Sequence, residues 1–156
     1  MKPIGIIRSP FKKKSETPIQ PWESKAIGEI ELFKEFSNGL EGIKGFSHII
    51  LVYAFHKSNG FKLKAKPFLD NKKKGVFATR APSRPNPIGL SVVELVERNG
   101  NTLKVKGIDC LDGTPLLDIK PFIPEFDNAK NVRIGWLEKI LKKGGRKNED
   151  CNKRKL

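Results

Sequence analysis

The stretch Arg80-Ala81-Pro82-Ser83-Arg84-Pro85-Asn86-Pro87-Ile88-Gly89-Leu90-Ser91 constrains the fold more than any other part of the chain. Three prolines in six positions remove three backbone donors and push Ala81, Arg84 and Asn86 toward extended geometry, so no helix forms here. Restricted dihedrals make the segment stiff, and it can display Arg80, Arg84 and Asn86 at small entropic cost. An ordinary surface loop with two solvated arginines would carry the same letters. The almost wholly apolar run from Ile88 to Val96 tips the balance, because it anchors the loop directly to core.

The rest of the chain reads mainly as strands. Pro3 to Arg8 is β-branched and apolar, and Ala26 to Phe33 alternates, with Gly28, Ile30 and Leu32 on one side. Phe36 to Glu41 is a turn or a short helix. Phe46 to His56 predicts a long buried strand that places His48 and His56 on one face, about 26 Å apart, too far to share a metal. A short strand over Gly75 to Arg80 leads into the proline loop. Ile88 to Glu97 then pairs with Thr102 to Ile108 across Asn99-Gly100, with Leu103 and Val105 facing in. Leu117 and Ile119 face inward from a half-buried strand that stops at Pro121. Asn131 to Lys143 takes a helical period, interrupted only by Gly135, and Gly144-Gly145 ends it. The expected fold is mostly β: a small single β-barrel of short strands with a C-terminal helix, covering residues 1–143. Residues 144–156 form a basic tail, expected to be disordered.

Charge narrows the partner. The 156 residues carry a net charge of +14, which implies a polyanion such as nucleic acid, or else an anionic membrane surface. No stretch has the length or apolarity of a signal peptide or a membrane span, so a cytoplasmic protein is expected. Cys110 and Cys151 lie too far apart to suggest a disulfide framework or a zinc knuckle. Between Phe61 and Lys74, six lysines interleave with Phe61, Leu63 and Phe68; such a run either tracks phosphates or is simply a solvated face. Asp109-Cys110-Leu111-Asp112-Gly113-Thr114-Pro115 is a second candidate site loop. Its Asp-Gly pair permits a positive dihedral and close backbone approach, although the same letters often make only a turn. Nucleotide-binding fingerprints built on Gly-x-Gly-x-x-Gly or Gly-x-x-x-x-Gly-Lys are absent.

At Ala78 to Ser91 the chain resembles the signature of the TsaA-like, or TrmO, family of tRNA methyltransferases. Two further blocks carry the resemblance: Gly45-Phe46-Ser47-His48-Ile49 with Phe55-His56, and Leu111 to Pro115 with Asp118-Ile119-Lys120-Pro121. What the resemblance implies is a β-barrel that dimerises, with its site near the subunit interface. It also implies S-adenosyl-L-methionine as cofactor, and as acceptor N6 of threonylcarbamoyl-modified adenosine 37 in the tRNA anticodon loop. The cofactor contacts it implies are Pro18, Ile19, Gln20, His56, Lys57, Arg80, Leu90, Leu111, Asp112, Gly113 and Thr114. The family commonly has Arg where Ile19 stands, and often Tyr where Phe122 stands.

Arg84 and Asn86 belong near the acceptor nucleotide or the cofactor carboxylate, with Lys120 as a further substrate contact. Asp112 or Asp118 is the candidate to take the departing proton. Two other readings fit the same residues: a non-catalytic RNA-binding barrel, and a methyltransferase of this fold with a different nucleoside or small-molecule acceptor.

Overall fold

In the computed structural model, which describes residues 1–18 and 24–143, inward apolar alternation closes six antiparallel strands into a barrel. The strands are β1 (Gly5–Arg8), β2 (Ile27–Leu32), β3 (His48–Ala54), β4 (Lys64–Ala65), β5 (Lys74–Gly75), β6 (Ile88–Asn99), β7 (Thr102–Lys106) and β8 (Thr114–Pro121), of which all but β4 and β5 belong to the barrel. They run around it in the order β1-β2-β7-β6-β3-β8, and β8 pairs back onto β1 to shut the seam. Closure leaves no barrel edge unpaired among the described residues.

The interior is a close-packed plug. Ile7, Ile30, Ile49, Leu51, Leu103, Val105 and Leu116 are each 0% exposed. Leu40, from the 3-10 segment Lys34–Leu40, and Ile108 seal the two ends. Gly89 faces inward because nothing larger fits: a Cβ there would lie 2.3 Å from the Tyr53 ring. Tyr53 and Phe55 meet edge to face at 5.5 Å directly above it.

Several sequence expectations hold. The Asn99-Gly100 hairpin forms, with Gly100 at φ 60°, and Leu103 and Val105 point in. Others need correction. β3 stops at Ala54 because the His56 N–H turns back to the Ala54 carbonyl at 2.9 Å, so His56 leaves the face that His48 occupies. β6 is not wholly buried: Gly89, Ser91 and Val93 face the interior while Leu90 and Val92, 52% and 43% exposed, face out. β8 starts at Thr114, and an extra residue at Leu117 shifts its register, so Leu116 rather than Leu117 enters the core. Gly75 to Arg80 contains a 3-10 turn, Val76–Ala78, in place of a strand.

The C-terminal helix is also shorter than its pattern. Only Leu137–Lys143 is helical (α2), after a single turn at Pro124–Asp127 (α1). Gly135 has φ 56° and Asn131 φ 55°, both incompatible with continuing a helix. Trp136 is used as a pin, its indole N–H donating to the Ala78 carbonyl at 2.8 Å. Between β3 and β6 lies an unforeseen two-stranded piece, in which β4 pairs with β5. The expected tail, residues 144–156, lies outside the described residues.

Candidate active site

Four segments meet at the barrel mouth where β1 and β3 end and β8 begins. The Asp109 to Gly113 loop is stapled to the end of β1. Ser9 Oγ donates to the Cys110 carbonyl at 2.7 Å, and the Ser9 N–H donates to Asp112 Oδ1 at 3.0 Å. The Asp112 and Gly113 amides reach the Phe11 and Ile7 carbonyls at 2.8 and 2.9 Å. Gly113 takes φ 76°, the positive dihedral the Asp-Gly pair permits.

Between this loop and the segment Phe55 to Ser58 opens a cleft of about 210 Å³. Lys14 and Thr17 from the loop after β1, and Pro82 from the proline loop, complete its walls. Asp109 lies in it and anchors a buried relay. Ser91 Oγ donates to Asp109 Oδ1 at 2.5 Å and sits 3.0 Å from the Tyr53 hydroxyl. Ser91 has one proton, which goes to the carboxylate, so Tyr53 must donate to Ser91.

Burial sets the electrostatics of this mouth. It pushes the Asp109 carboxyl above the usual carboxylate range, against the opposing Ser91 hydrogen bond and the nearby Arg80 charge. Burial, aided by the Asp109 charge, raises the Tyr53 phenol, and it pushes the Cys110 thiol up to about 12, which leaves that sulfur inert. His56 is lowered by desolvation and then by Lys57, so near pH 7 its ring is neutral, with one donor and one acceptor nitrogen.

The residues singled out by sequence are distributed unevenly. His56, Lys57, Leu111 and Thr114 line the cleft, and Pro18 follows Thr17, which also lines it. Arg80 is exposed at the rim, close enough for its charge to act on Asp109 and Tyr53. Asp112 is occupied: Lys12 Nζ lies 2.5 Å from Oδ2, and that contact, with the Ser9 amide, holds its carboxyl below the ordinary range. Arg84 braces its own loop, Nη1 donating to the Thr79 and Ala81 carbonyls at 3.1 and 3.2 Å. Asn86 is exposed, and Leu90 points away from the barrel interior.

Asp118 and Lys120 form an ion pair of 2.8 Å toward the opposite mouth. Asp118 there borders a larger cleft of about 520 Å³, floored by Phe36, Leu40 and Ile43. That cleft has the volume, but the converging signature loops are at the other end. Ile19 and Gln20 lie outside the described residues.

Sequence reasoning put Asp109 in a candidate loop, and Ser91 and Phe55 in the signature blocks, but gave none of them a role, and it passed over Tyr53. The available signal was parity, since Ser91 shares the inward side of β6 with Gly89 and Val93. Asp109 stands between buried Ile108 and Cys110, an unusual place for an acid.

A closed antiparallel barrel with polar loops gathered at one mouth around a half-buried carboxylate defines a small-ligand-binding barrel whose chemistry sits in its loops. The family profile for the tRNA-methyltransferase O N-terminal domain matches residues 6–128. The chain belongs to that family. A "Probable S-adenosyl-L-methionine-binding protein" of Pyrococcus abyssi is 59% identical over 143 residues, covering 91% of this chain and 78% of that protein. The human tRNA (adenine(37)-N6)-methyltransferase is 41% identical over 139 residues, covering 84% of this chain and 32% of that enzyme. A crystal structure of TrmO from Pseudomonas aeruginosa superposes with a TM-score of 0.74 at 42% identity, over 86% of this chain and 60% of that one. The chain thus spans about a third of the human enzyme and less than two thirds of the solved TrmO chain.

Proposed function

We propose that the chain is an S-adenosylmethionine-dependent methyltransferase acting on N6 of threonylcarbamoyladenosine 37 in the tRNA anticodon loop. The observation that carries this reading is Asp109, a carboxylate with raised pKa that opens on a cleft walled by the family's signature loops.

The side chains present fit the cofactor. Phe55 offers an apolar ring to a purine, while Lys14, Lys57 and neutral His56 offer partners to an α-carboxylate. When bound, S-adenosylmethionine supplies a methyl group already activated by its sulfonium. The protein is left with positioning, exclusion of water and removal of one proton. Asp109 takes the N6 proton as the methyl group moves to that nitrogen. Its raised pKa makes it a better base than Asp112, whose carboxyl is lowered by Lys12, while Asp118 is engaged with Lys120 at the far mouth. The hydrogen bond from Ser91 orients it.

We assign the outer face of β3 and β6 to a second copy. Ile50 opposes Val92, Val52 opposes Leu90, and Ala54 opposes Ile88, forming an apolar strip on the outside of the barrel that the Asp118–Lys120 ion pair of β8 borders. A cytoplasmic location follows from the substrate. Purified protein incubated with S-adenosylmethionine and tRNA bearing threonylcarbamoyladenosine should yield the N6-methylated nucleoside by mass spectrometry. An unchanged nucleoside profile, with the cofactor bound, would reject this acceptor.

The name of the Pyrococcus abyssi relative favours a second reading, because it specifies cofactor binding and no reaction. Under it the same mouth serves another acceptor. Failure of calorimetry to detect any S-adenosylmethionine binding would reject both readings and leave a non-catalytic RNA-binding barrel.

A further inference from the structure

Between β3 and β6 the chain leaves the barrel as an arm, residues 59–78. Its root is tied to the cleft rim: Ser58 Oγ donates to the Pro82 carbonyl at 3.2 Å and the Lys62 amide to the Ser83 carbonyl at 3.4 Å. The arm folds on itself through β4 and β5, and its buried anchor is Val76, at 1% exposed. Large apolar side chains stay outside that anchor. Phe61 is 57% exposed, Leu63 63%, Phe68 74% and Phe77 76%.

Lysines surround them. Lys62, Lys64, Lys66, Lys72 and Lys73 are all exposed, whereas Lys74 is committed to Asp70 at 3.1 Å and stands over the Trp136 ring at 5.8 Å. Uncovered aromatics of this number mark an interaction surface. A second copy would hide the rings but bring five more lysines against these five, whereas the β3 and β6 strip offers self-association without that repulsion. Unpaired nucleotides suit both features, having phosphates for the lysines and flat bases for the rings.

We propose that the arm is a stacking platform for unpaired RNA bases, with Phe61, Phe68 and Phe77 as the stacking faces and the five exposed lysines tracking the backbone. This deepens the reading of the mouth as a tRNA-modifying site. The arm would hold the flanking loop nucleotides while the target base enters the cleft beside its root.

The test uses the full chain and an anticodon stem-loop RNA. Because the three rings are exposed, F61A/F68A/F77A should retain its circular dichroism and its cofactor affinity by calorimetry. Its RNA affinity by fluorescence anisotropy should fall at least tenfold, with KM for tRNA rising and the salt slope of binding kept. K62S/K64S/K66S should instead flatten the slope of log K against log salt, by about 0.7 for each phosphate that is no longer neutralised. As a direct readout, F68W fluorescence should be quenched on RNA addition. Unchanged RNA affinity in the phenylalanine variant would overturn the platform, as would a loss of dimer by light scattering with RNA binding intact, which would make the arm a protein interface. A wild-type chain that binds the stem-loop through these rings but transfers no methyl group would refute the proposed reaction and leave the platform standing.

Discussion

Asp109 illustrates how a single residue can be costly to the fold and useful to the chemistry. Its folded pKa is raised, so the neutral form is favoured on folding. The stabilising contribution of protonation is present below the unfolded pKa and disappears as pH rises through the raised folded value. D109N keeps an oxygen for Ser91 while removing the charge, and it should be at least as resistant to urea at neutral pH as the parent. The same variant should lose methyl transfer. In the parent, kcat should drop at acid pH with a midpoint above about 3.9, the ordinary aspartate value. Gly89 makes a complementary prediction: G89A forces a methyl into the Tyr53 ring and should cost about 1–3 kcal/mol in chemical denaturation.

At the scale of elements, the staple between β1 and the Asp109 to Gly113 loop can be tested through Lys12. The Asp112 carboxyl is depressed, so its contribution exists above the unfolded pKa and fades as pH falls through the lower folded one. Lys12 is largely exposed, and K12A should therefore cost only about 0.2–1 kcal/mol near pH 7, an effect that shrinks in high salt. How much was legible in the sequence follows the same local logic. The β6–β7 hairpin could be read because Asn99-Gly100 has one obvious use and Leu103 and Val105 alternate cleanly. The extra residue at Leu117 could not, since an inserted position looks like ordinary alternation until its partner strand is known. Gly135 inside an amphipathic pattern is tolerated in many helices, and only its dihedral reveals the break. Among the site residues, His56, Lys57 and the Leu111 to Thr114 loop were visible through motif. Asp109 was visible as part of that loop but its role was not, because its environment comes from Tyr53 and Ser91, distant in sequence.

For the whole molecule, stability rests on one shared plug, with every barrel strand contributing to it. L51A opens a void at a position with 0% exposure and should cost about 2–5 kcal/mol, read as a lower urea midpoint. If the outer face of β3 and β6 carries a second copy as proposed, replacing Leu90 by Glu should leave that midpoint nearly unchanged while lowering the mass by light scattering to that of a monomer.

The seam carries a last consequence. Three facing positions, Gly5 with Leu116, Ile6 with Pro115 and Ile7 with Thr114, join the earliest strand to the latest. Thr114, which pairs with Ile7, also lines the cleft, so the candidate mouth is complete only once the two ends of the barrel have met. A small molecule held at that mouth would favour the closed seam by mass action, because only the paired state offers it a complete wall.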